Sequence, residues 1–536
     1  LSLGVMLPFV LYLVGVLAIG VISMRLIRGY DDFMIGGRRI GPWVSSFALI
    51  TSYMSGYTYT AAPGVSYSGG WSAMWWGTGD APGNALSFGV LGRRLRKYSE
   101  LLGAITLPEY YEKRFKSPAL RVLASIVIVI SVSMYLVAQW QASGKLLSVT
   151  FGTNYVIGMI IGGAVVLAYT LLGGYLACVY TDFIQGIVMF IGTHLLFWSA
   201  LSKVGGFAAL NDKLAAINPE LVTPWGPGGT YASFLAAATP VLLIIMGSFG
   251  LPHVTVRHLS LKDPDSARKA MLITGTFVVL FAFAYYMVGA ISLVLLGPGI
   301  SDPEVTGIRL WFSVLPPALA GILVSAAVAS IMSTADGFLM LLVTTVAHDI
   351  LYRFLTPNAP QERRIAIARV VAAIVAIGSM IVAINPPGLV FTIVIFAFGG
   401  MALAFGVPNL FSTFWKRSTA TGTIACMVLS LIVYVGCTAA KFRPFGLDPF
   451  LSGLIVAIVA FVAGSLCSAK PDRKTEEMFD IGTAYGPLPK NIAQGSPALA
   501  AQGIRVEEIL DWDRREIGAT ANALSPAIDP GAEFAD

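Results

Sequence analysis

The chain has 536 residues, of which 56% are hydrophobic and only 12% charged, with a formal net charge of +6 and a mean hydropathy of +0.76. A soluble chain carries about 25% charged residues, so this one is read as a polytopic membrane protein. Its cations sit in short loops beside apolar runs, which ties the basic balance to membrane topology and excludes a nucleic-acid partner.

In chain order, about thirteen apolar spans follow one another, near 2–24, 41–68, 70–92, 119–149, 155–174, 176–202, 231–251, 270–297, 313–347, 364–384, 389–414, 420–440 and 449–468. Most approach the roughly 20 residues that cross a bilayer as a helix. The first is too long for a signal-peptide core and lacks a basic region ahead of it. It is expected to be a retained membrane helix, with a short N-terminal piece before Leu1.

The second span contains SYMSGYTYTAAPG (52–64), which packs four small hydroxyl side chains, two glycines and a proline into a membrane segment. Exposed backbone is tolerated at membrane depth only where protein or a cavity satisfies it, so a broken helix is expected here. The third span carries Asp80 in WWGTGDAPG (75–83), where Gly and Pro suggest another local break. Lys145, at the outer end of the fourth span, is expected to snorkel. The sixth carries Asp182 in YTDFIQG (180–186), and an intramembrane carboxylate is a functional candidate by default. His194 reads as a packing residue.

The seventh span is expected to break within MGSFGLPH (246–253), five spans after the first break. Paired interruptions of this kind point to an inverted-repeat transporter with a midplane site. His253 and His258 follow in a basic cytoplasmic connection. The ninth span, in ASIMSTADGFLM (329–340), presents Ser333 and Thr334 side by side. Hydroxyls and the carbonyls of a broken helix would suit a hard monovalent cation such as Na⁺, although such hydroxyls also bond back to their own helix.

After Ala469 no apolar span remains, and a largely flexible cytoplasmic tail (469–536) is expected, with one amphipathic piece at 504–518. Twenty-five Lys and Arg lie in or beside the loops of one face, against five (Lys203, Lys213, Arg309, Lys441, Arg443) on the other. That asymmetry places the N-terminus outside and the tail in the cytoplasm of a plasma (inner) membrane protein. The first set includes Arg257. The four cysteines fall within or at the ends of apolar spans and suggest neither a disulfide framework nor a zinc site. No HExxH, GxSxG or Cys/His cluster points to an enzyme, and no ring of charges to a channel.

Several segments together resemble the sodium:solute symporter family: DFMIGGRRIGPWVSS (32–46), the YMSG stretch, TLPEYYEKRF (106–115), GGYLACVYTDFIQG (173–186), GLPHVTVRHLS (250–260) and ASIMST (329–334). The resemblance runs in order through nearly all of 1–468. Within the family the pantothenate and proline branches look nearest, with NPELVTPWG (218–226), VLPPALAG (314–321) and AFGG (397–400) leaning toward the former. It implies an all-α membrane protein of about thirteen helices: one leading helix, a five-plus-five inverted-repeat, LeuT-like core (about 41–202 and 231–414), and two trailing helices.

The resemblance also implies Na⁺ as the coupling ion, with no other cofactor. Its ligands would be the carbonyls of Thr51, Met54 and Ser330 and the hydroxyls of Ser333 and Thr334, and Asp182 would serve ion coupling or a second cation site. A small solute would lie near Tyr53, Ser55, Gly56, Thr58, Trp76 and Tyr135, with Phe249 closing the pocket. Proline symporters carry an aspartate where this chain has Tyr53, so a negative charge beside the ion is expected to be absent. The expected activity is import of a small, carboxylate-bearing solute such as pantothenate by alternating access. A proline or short-monocarboxylate symporter, and a transporter-like sensor whose tail meets a cytoplasmic protein, stand as alternatives; oligomeric state is left open.

Overall fold

The computed structural model describes residues 3–25, 34, 36, 40–356 and 360–483. All regular elements among them are helical, apart from one isolated bridge between Ile40 and Leu261. Helix α1 (Leu3–Met24) is followed by three pieces, α2 (Pro42–Tyr53), α3 (Gly56–Tyr59) and α4 (Ala61–Gly69). Next come α5 (Met74–Leu86), α6 (Arg93–Leu102), α7 (Leu107–Phe115), α8 (Pro118–Phe151), α9 (Tyr155–Val204) and the outer α10 (Gly206–Ile217). The second half holds α11 (Phe234–Gly250), α12 (Pro252–Leu259), α13 (Ser266–Leu296), α14 (Thr306–Val314), α15 (Pro317–Val343), α16 (Gln361–Ile384), α17 (Val390–Met401) and α18 (Val407–Phe414). It ends with α19 (Ala420–Ala439), α20 (Pro449–Cys467) and α21 (Arg473–Thr483).

All thirteen expected segments contain helix, but length and apolarity alone pick out nine crossings among the described residues, or ten if α11 and α12 form one bent span. The difference lies in the broken and polar segments. The second is split into α2–α4, the third is rich in glycine, and the fifth and sixth run together as α9 across a bend at Gly174. Gly174 has φ 54° and ψ −151°, a conformation essentially reserved for glycine, so the two spans turn on a single residue. Asp80 departs from expectation too: α5 runs unbroken through Gly83, with Pro82 inside it.

Burial sorts the helices into a centre and a rim. α15 packs along α9, α1, α8 and α2, and 83% of its membrane-length window is buried, against 22% for α1 and α16. α1 turns Leu3, Leu7, Leu11 and Val14 outward, and α16 does the same with Val370, Ile374, Ile377 and Ile381. Apolar side chains left outside in such rows suit lipid contact. The polar residues of α15 therefore meet other helices and never the bilayer.

The TLPEYYEKRF stretch forms a self-capped helix. Thr106 Oγ1 accepts from Glu109 N at 3.1 Å, and Glu109 Oε2 accepts from Ile105 N at 2.8 Å, a variant of the reciprocal capping box. The charged α7 is thereby held under the bundle, where a buried network joins it to α8 and the chain after α15. Arg121 meets Glu112 at 2.7 Å and Asp349 at 2.9 Å, and Arg353 meets Glu112 at 2.6 Å.

The expected flexible tail begins instead with a docked helix. α21 buries Met478 and Phe479, lays Gly482 against the Tyr98 ring and pairs Asp480 with Lys416 at 2.8 Å. The amphipathic piece at 504–518 lies outside the described residues. Phe479→Ala is expected to remove about 2–3 kcal/mol of docking free energy, the worth of one buried aromatic side chain. Limited proteolysis reads this as faster cleavage between α20 and α21; a digestion rate equal to wild type would show that α21 does not depend on this contact.

Candidate functional site

The break in the second segment frees specific carbonyls. α2 ends at Tyr53, Met54 adopts φ −77° and ψ 77°, and Ser55 is extended with its hydroxyl accepting from Tyr57 N at 3.1 Å. The amides that a continuous helix would send to Thr51, Ser52 and Met54 go elsewhere. Ser55 N turns to the Tyr53 carbonyl, Thr58 N to the Ser55 carbonyl, and Gly56 N to the Gln139 side chain at 2.9 Å. Three carbonyl oxygens are left without helical partners in a buried place, where such groups must be satisfied by other means.

α15 meets them with hydroxyls. Ser330 Oγ donates toward the carbonyls of Met54, at 2.9 Å, and Ser55. Ser333 Oγ lies 3.1 Å from the Thr51 carbonyl and 3.2 Å from that of Ser330. Thr334 Oγ1 lies 3.0, 3.2 and 3.4 Å from the carbonyls of Ser52, Ser330 and Thr51. Each hydroxyl owns one proton, so these contacts outnumber the protons available to them. Oxygens around a hard cation at about 2.4 Å stand roughly 3.4 Å apart at right angles, close to the spacing here. Of the five expected oxygens, the cluster gathers the carbonyls of Thr51 and Ser330 and the hydroxyls of Ser333 and Thr334, and the Met54 carbonyl joins through the Ser330 hydroxyl. The Ser52 and Ser55 carbonyls join them; their adjacency to the break was the available signal.

Asp182 stands to one side of this cluster. Its Oδ2 accepts from Arg257 at 2.7 Å, and the same Arg257 nitrogen donates to Ser52 Oγ at 2.8 Å. Asp182 Oδ1 has no hydrogen-bond partner among the described residues. Arg257, counted from the sequence among the cytoplasmic loop cations, is 2% exposed and lies on the buried α12. Asp182 and Asp336 both act on it electrostatically, and two buried carboxylates demand such a partner. Lys145, expected to snorkel, instead pairs with Glu304 at 2.6 Å and Asp302 at 2.9 Å.

Beside the break lies a central cavity of about 20 Å³, lined by Tyr53, Met54, Thr58, Asp80, Tyr135 and Tyr285 among others. It has room for about one water. Ser55 reaches its edge, with Oγ 3.3 Å from Tyr135 OH. Gly56 faces away, into α8 and α15: a Cβ there would sit 2.6 Å from that of Ala142. Trp76 lines a second cavity of about 500 Å³, where its ring packs on Phe391 with centroids 5.3 Å apart, and Phe391 in turn stacks on Tyr57 of the central cavity. Trp76 is thus part of the partition between the cavities and not of the inner wall.

Phe249 is a second correction. The seventh segment does break within the expected 246–253 stretch: α11 stays regular through Gly250 and bends by 46° at Leu251, ahead of Pro252. Gly247 and Gly250 serve close packing, against the Phe398 ring and against the backbone of Met401, Ala402 and Gly406. With the helix intact, Ile244 lines the central cavity, and Phe249, five residues on, is turned about 140° away from it. Its carbonyl is held by Asn409 at 2.7 Å.

The residue that sequence reasoning underrated is Asp80. It is 2% exposed; Oδ1 accepts from Tyr53 OH at 2.8 Å and Oδ2 from Tyr285 OH at 2.6 Å. No carboxylate stands at position 53, but the Tyr53 hydroxyl reaches one supplied by α5. The signal was present: an acidic residue within an apolar span.

A family model described as the sodium:solute symporter family matches residues 33–430. The osmoregulated proline transporter OpuE of Bacillus subtilis is 28% identical over 90% of this chain and 98% of its own length. A sodium/pantothenate symporter of Haemophilus influenzae is 27% identical over 89% of this chain and 99% of its own. The fold is shared with a Na⁺-coupled sialic acid symporter solved in a substrate-bound outward-open state (TM-score 0.73, 18% identity, 88% of this chain and 99% of that one). With the family match spanning most of the helical bundle, the chain belongs to the sodium:solute symporter family.

Proposed function

We propose that this protein imports a small, carboxylate-bearing organic solute together with Na⁺ by alternating access, and that pantothenate represents the size of solute concerned. The observation that carries this reading is the oxygen cluster joining the α2–α3 break to Ser330, Ser333 and Thr334 of α15. Na⁺ entering the cluster would replace hydroxyl–carbonyl contacts and hold α15 to the break. Met54 offers its carbonyl to the cluster and also lines the central cavity. One residue thus belongs to both sites, and each occupant can favour the other through its position. Asp182 would tune the ion's affinity through Arg257 and Ser52.

The solute would enter through the cavity above Trp76 and Phe391, the outer one on the loop-charge reading, and pass between those rings. Release toward the opposite side requires the Arg121–Glu112–Arg353 network to part. Loop charge supports a cytoplasmic side for that network and the tail and an outer side for the N-terminus. The similarity to proline and pantothenate transporters supports solutes of that size.

The test is uptake of labelled pantothenate, proline and pyruvate into proteoliposomes. Accumulation of at least one is expected only with external Na⁺, and should grow with an inside-negative potential. A net charge moved across 100 mV contributes about 2.3 kcal/mol, which is roughly fiftyfold accumulation. Uptake that proceeds equally when choline replaces Na⁺ removes the ion from the mechanism.

A further inference from the structure

Sodium coupling makes no use of the most costly group in the central cavity. Asp80 is buried on α5, and none of the other residues lining that cavity is Lys, Arg or His. Its two oxygens each accept one phenol proton, from Tyr53 and Tyr285. Two phenol donors, one at each oxygen, favour the charged form of the carboxyl against the cost of its burial.

Two neutral donors orient that charge without cancelling it, and they fill about half of the four lone-pair positions of a carboxylate. A buried charge of this kind asks for an opposite charge as well as hydrogen bonds. The protein places none on the cavity wall. On its other side the cavity reaches Met54, whose carbonyl belongs to the oxygen cluster. With Na⁺ in that cluster the cavity becomes bipolar, positive near Met54 and negative at Asp80.

We propose that Asp80, oriented by Tyr53 and Tyr285, is the recognition point for a cationic nitrogen, so that the transported solute is a small zwitterion carrying an ammonium group as well as a carboxylate. This rests on the sodium-coupled uptake reading and narrows its carboxylate-bearing solute to one chemical class. The solute carboxylate faces the sodium side, and its ammonium replaces water beside Asp80. A plain monocarboxylate or pantothenate, with no cationic nitrogen, meets Asp80 as a like charge.

The test uses the purified full chain in detergent, with thermal shift measured in NaCl and in choline chloride. L-Proline and L-alanine are compared with tetrahydrofuran-2-carboxylate and L-lactate, which keep the carboxylate but replace the nitrogen by oxygen, and with pantothenate. The zwitterions are expected to stabilise the protein in NaCl at concentrations about tenfold or more below those of their oxygen analogues, the worth of one hydrogen bond to a charged partner. Asp80→Asn should erase that preference, whereas Tyr285→Phe, which keeps the charge, should retain it.

Two results would overturn the proposal: lactate or pantothenate stabilising as well as the zwitterions, or no zwitterion stabilising at all. A third is an Asp80→Asn protein that keeps the zwitterion preference while losing a proton-gradient stimulation of uptake, which would make Asp80 a proton carrier. The wild-type comparison decides the solute class even where a variant does not fold. Sodium-dependent stabilisation by pantothenate alone would end the zwitterion inference and leave sodium-coupled uptake standing. Stabilisation and uptake indifferent to Na⁺ for every probe would end both.

Discussion

Replacing Ser333 and Thr334 together by alanine is expected to raise the Na⁺ concentration for half-maximal uptake by about a hundredfold or more, taking about 1.5–3 kcal/mol for each oxygen contact to a charged partner. The two hydroxyls make three of the oxygen contacts that join α15 to the break, two to the Thr51 carbonyl and one to that of Ser52. Without them the Thr51 and Ser52 carbonyls lose their cross-helix partners, so the Na⁺-free protein should also lose stability, by about 1–3 kcal/mol for each group left unsatisfied. The two effects separate in one experiment. Na⁺ titration of uptake reads the ion site, and thermal unfolding without Na⁺ reads the helix contact. Thr334→Ser, which keeps the hydroxyl, should restore most of the Na⁺ response. A double variant as sensitive to Na⁺ as the wild type would mean that the cluster is a helix contact and not an ion site.

Arg257→Met is expected to be the most destabilising substitution near the site, at about 3–5 kcal/mol, because it removes one side of a buried ion pair and strands the other. Arg257 is 2% exposed and its partner Asp182 fully buried, so water cannot take the place of the guanidinium. Asp336 acts on Asp182 as well, and the variant would leave the two carboxylates facing each other. Adding Asp182→Asn should recover a large part of the loss, since the double variant holds one buried charge fewer. The measurement is thermal unfolding in detergent for both single variants and the double. Additive losses in the double variant would show that the pair is not coupled, and the 2.7 Å contact would then carry little stability.

Most of the bundle was legible in the chain because a bilayer permits few alternatives. Backbone in hydrocarbon must bond to itself, so each apolar run becomes a helix wherever its residues allow. The break at SYMSG was legible for the same reason in reverse: small hydroxyls, glycine and freed carbonyls at membrane depth need partners. Ser333 and Thr334 were the hydroxyls placed to supply them. The break in the seventh segment was legible as well, and only its place within 246–253 was not. Gly247 and Gly250 signal close approach and helix breakage equally well in sequence, and only the Phe398 ring against one and the backbone of Met401, Ala402 and Gly406 against the other distinguish the two. Phe249 and Trp76 were placed by the resemblance, which does not fix how a helix face is rotated.

The sequence by itself determined the helical membrane class, the approximate spans and the family resemblance, and it singled out the Ser333 and Thr334 hydroxyls that meet the break, because each depends on hydropathy or on short motifs. The tertiary structure alone decided how charges pair across helices. It moved Arg257 from a loop cation to the partner of Asp182, and it brought Asp80 from the third segment to the hydroxyl of Tyr53 in the second. Such pairings join residues 27 and 75 positions apart in these two cases, and no local pattern encodes them. They arise when packed helices exclude water and each buried charge must find a partner nearby.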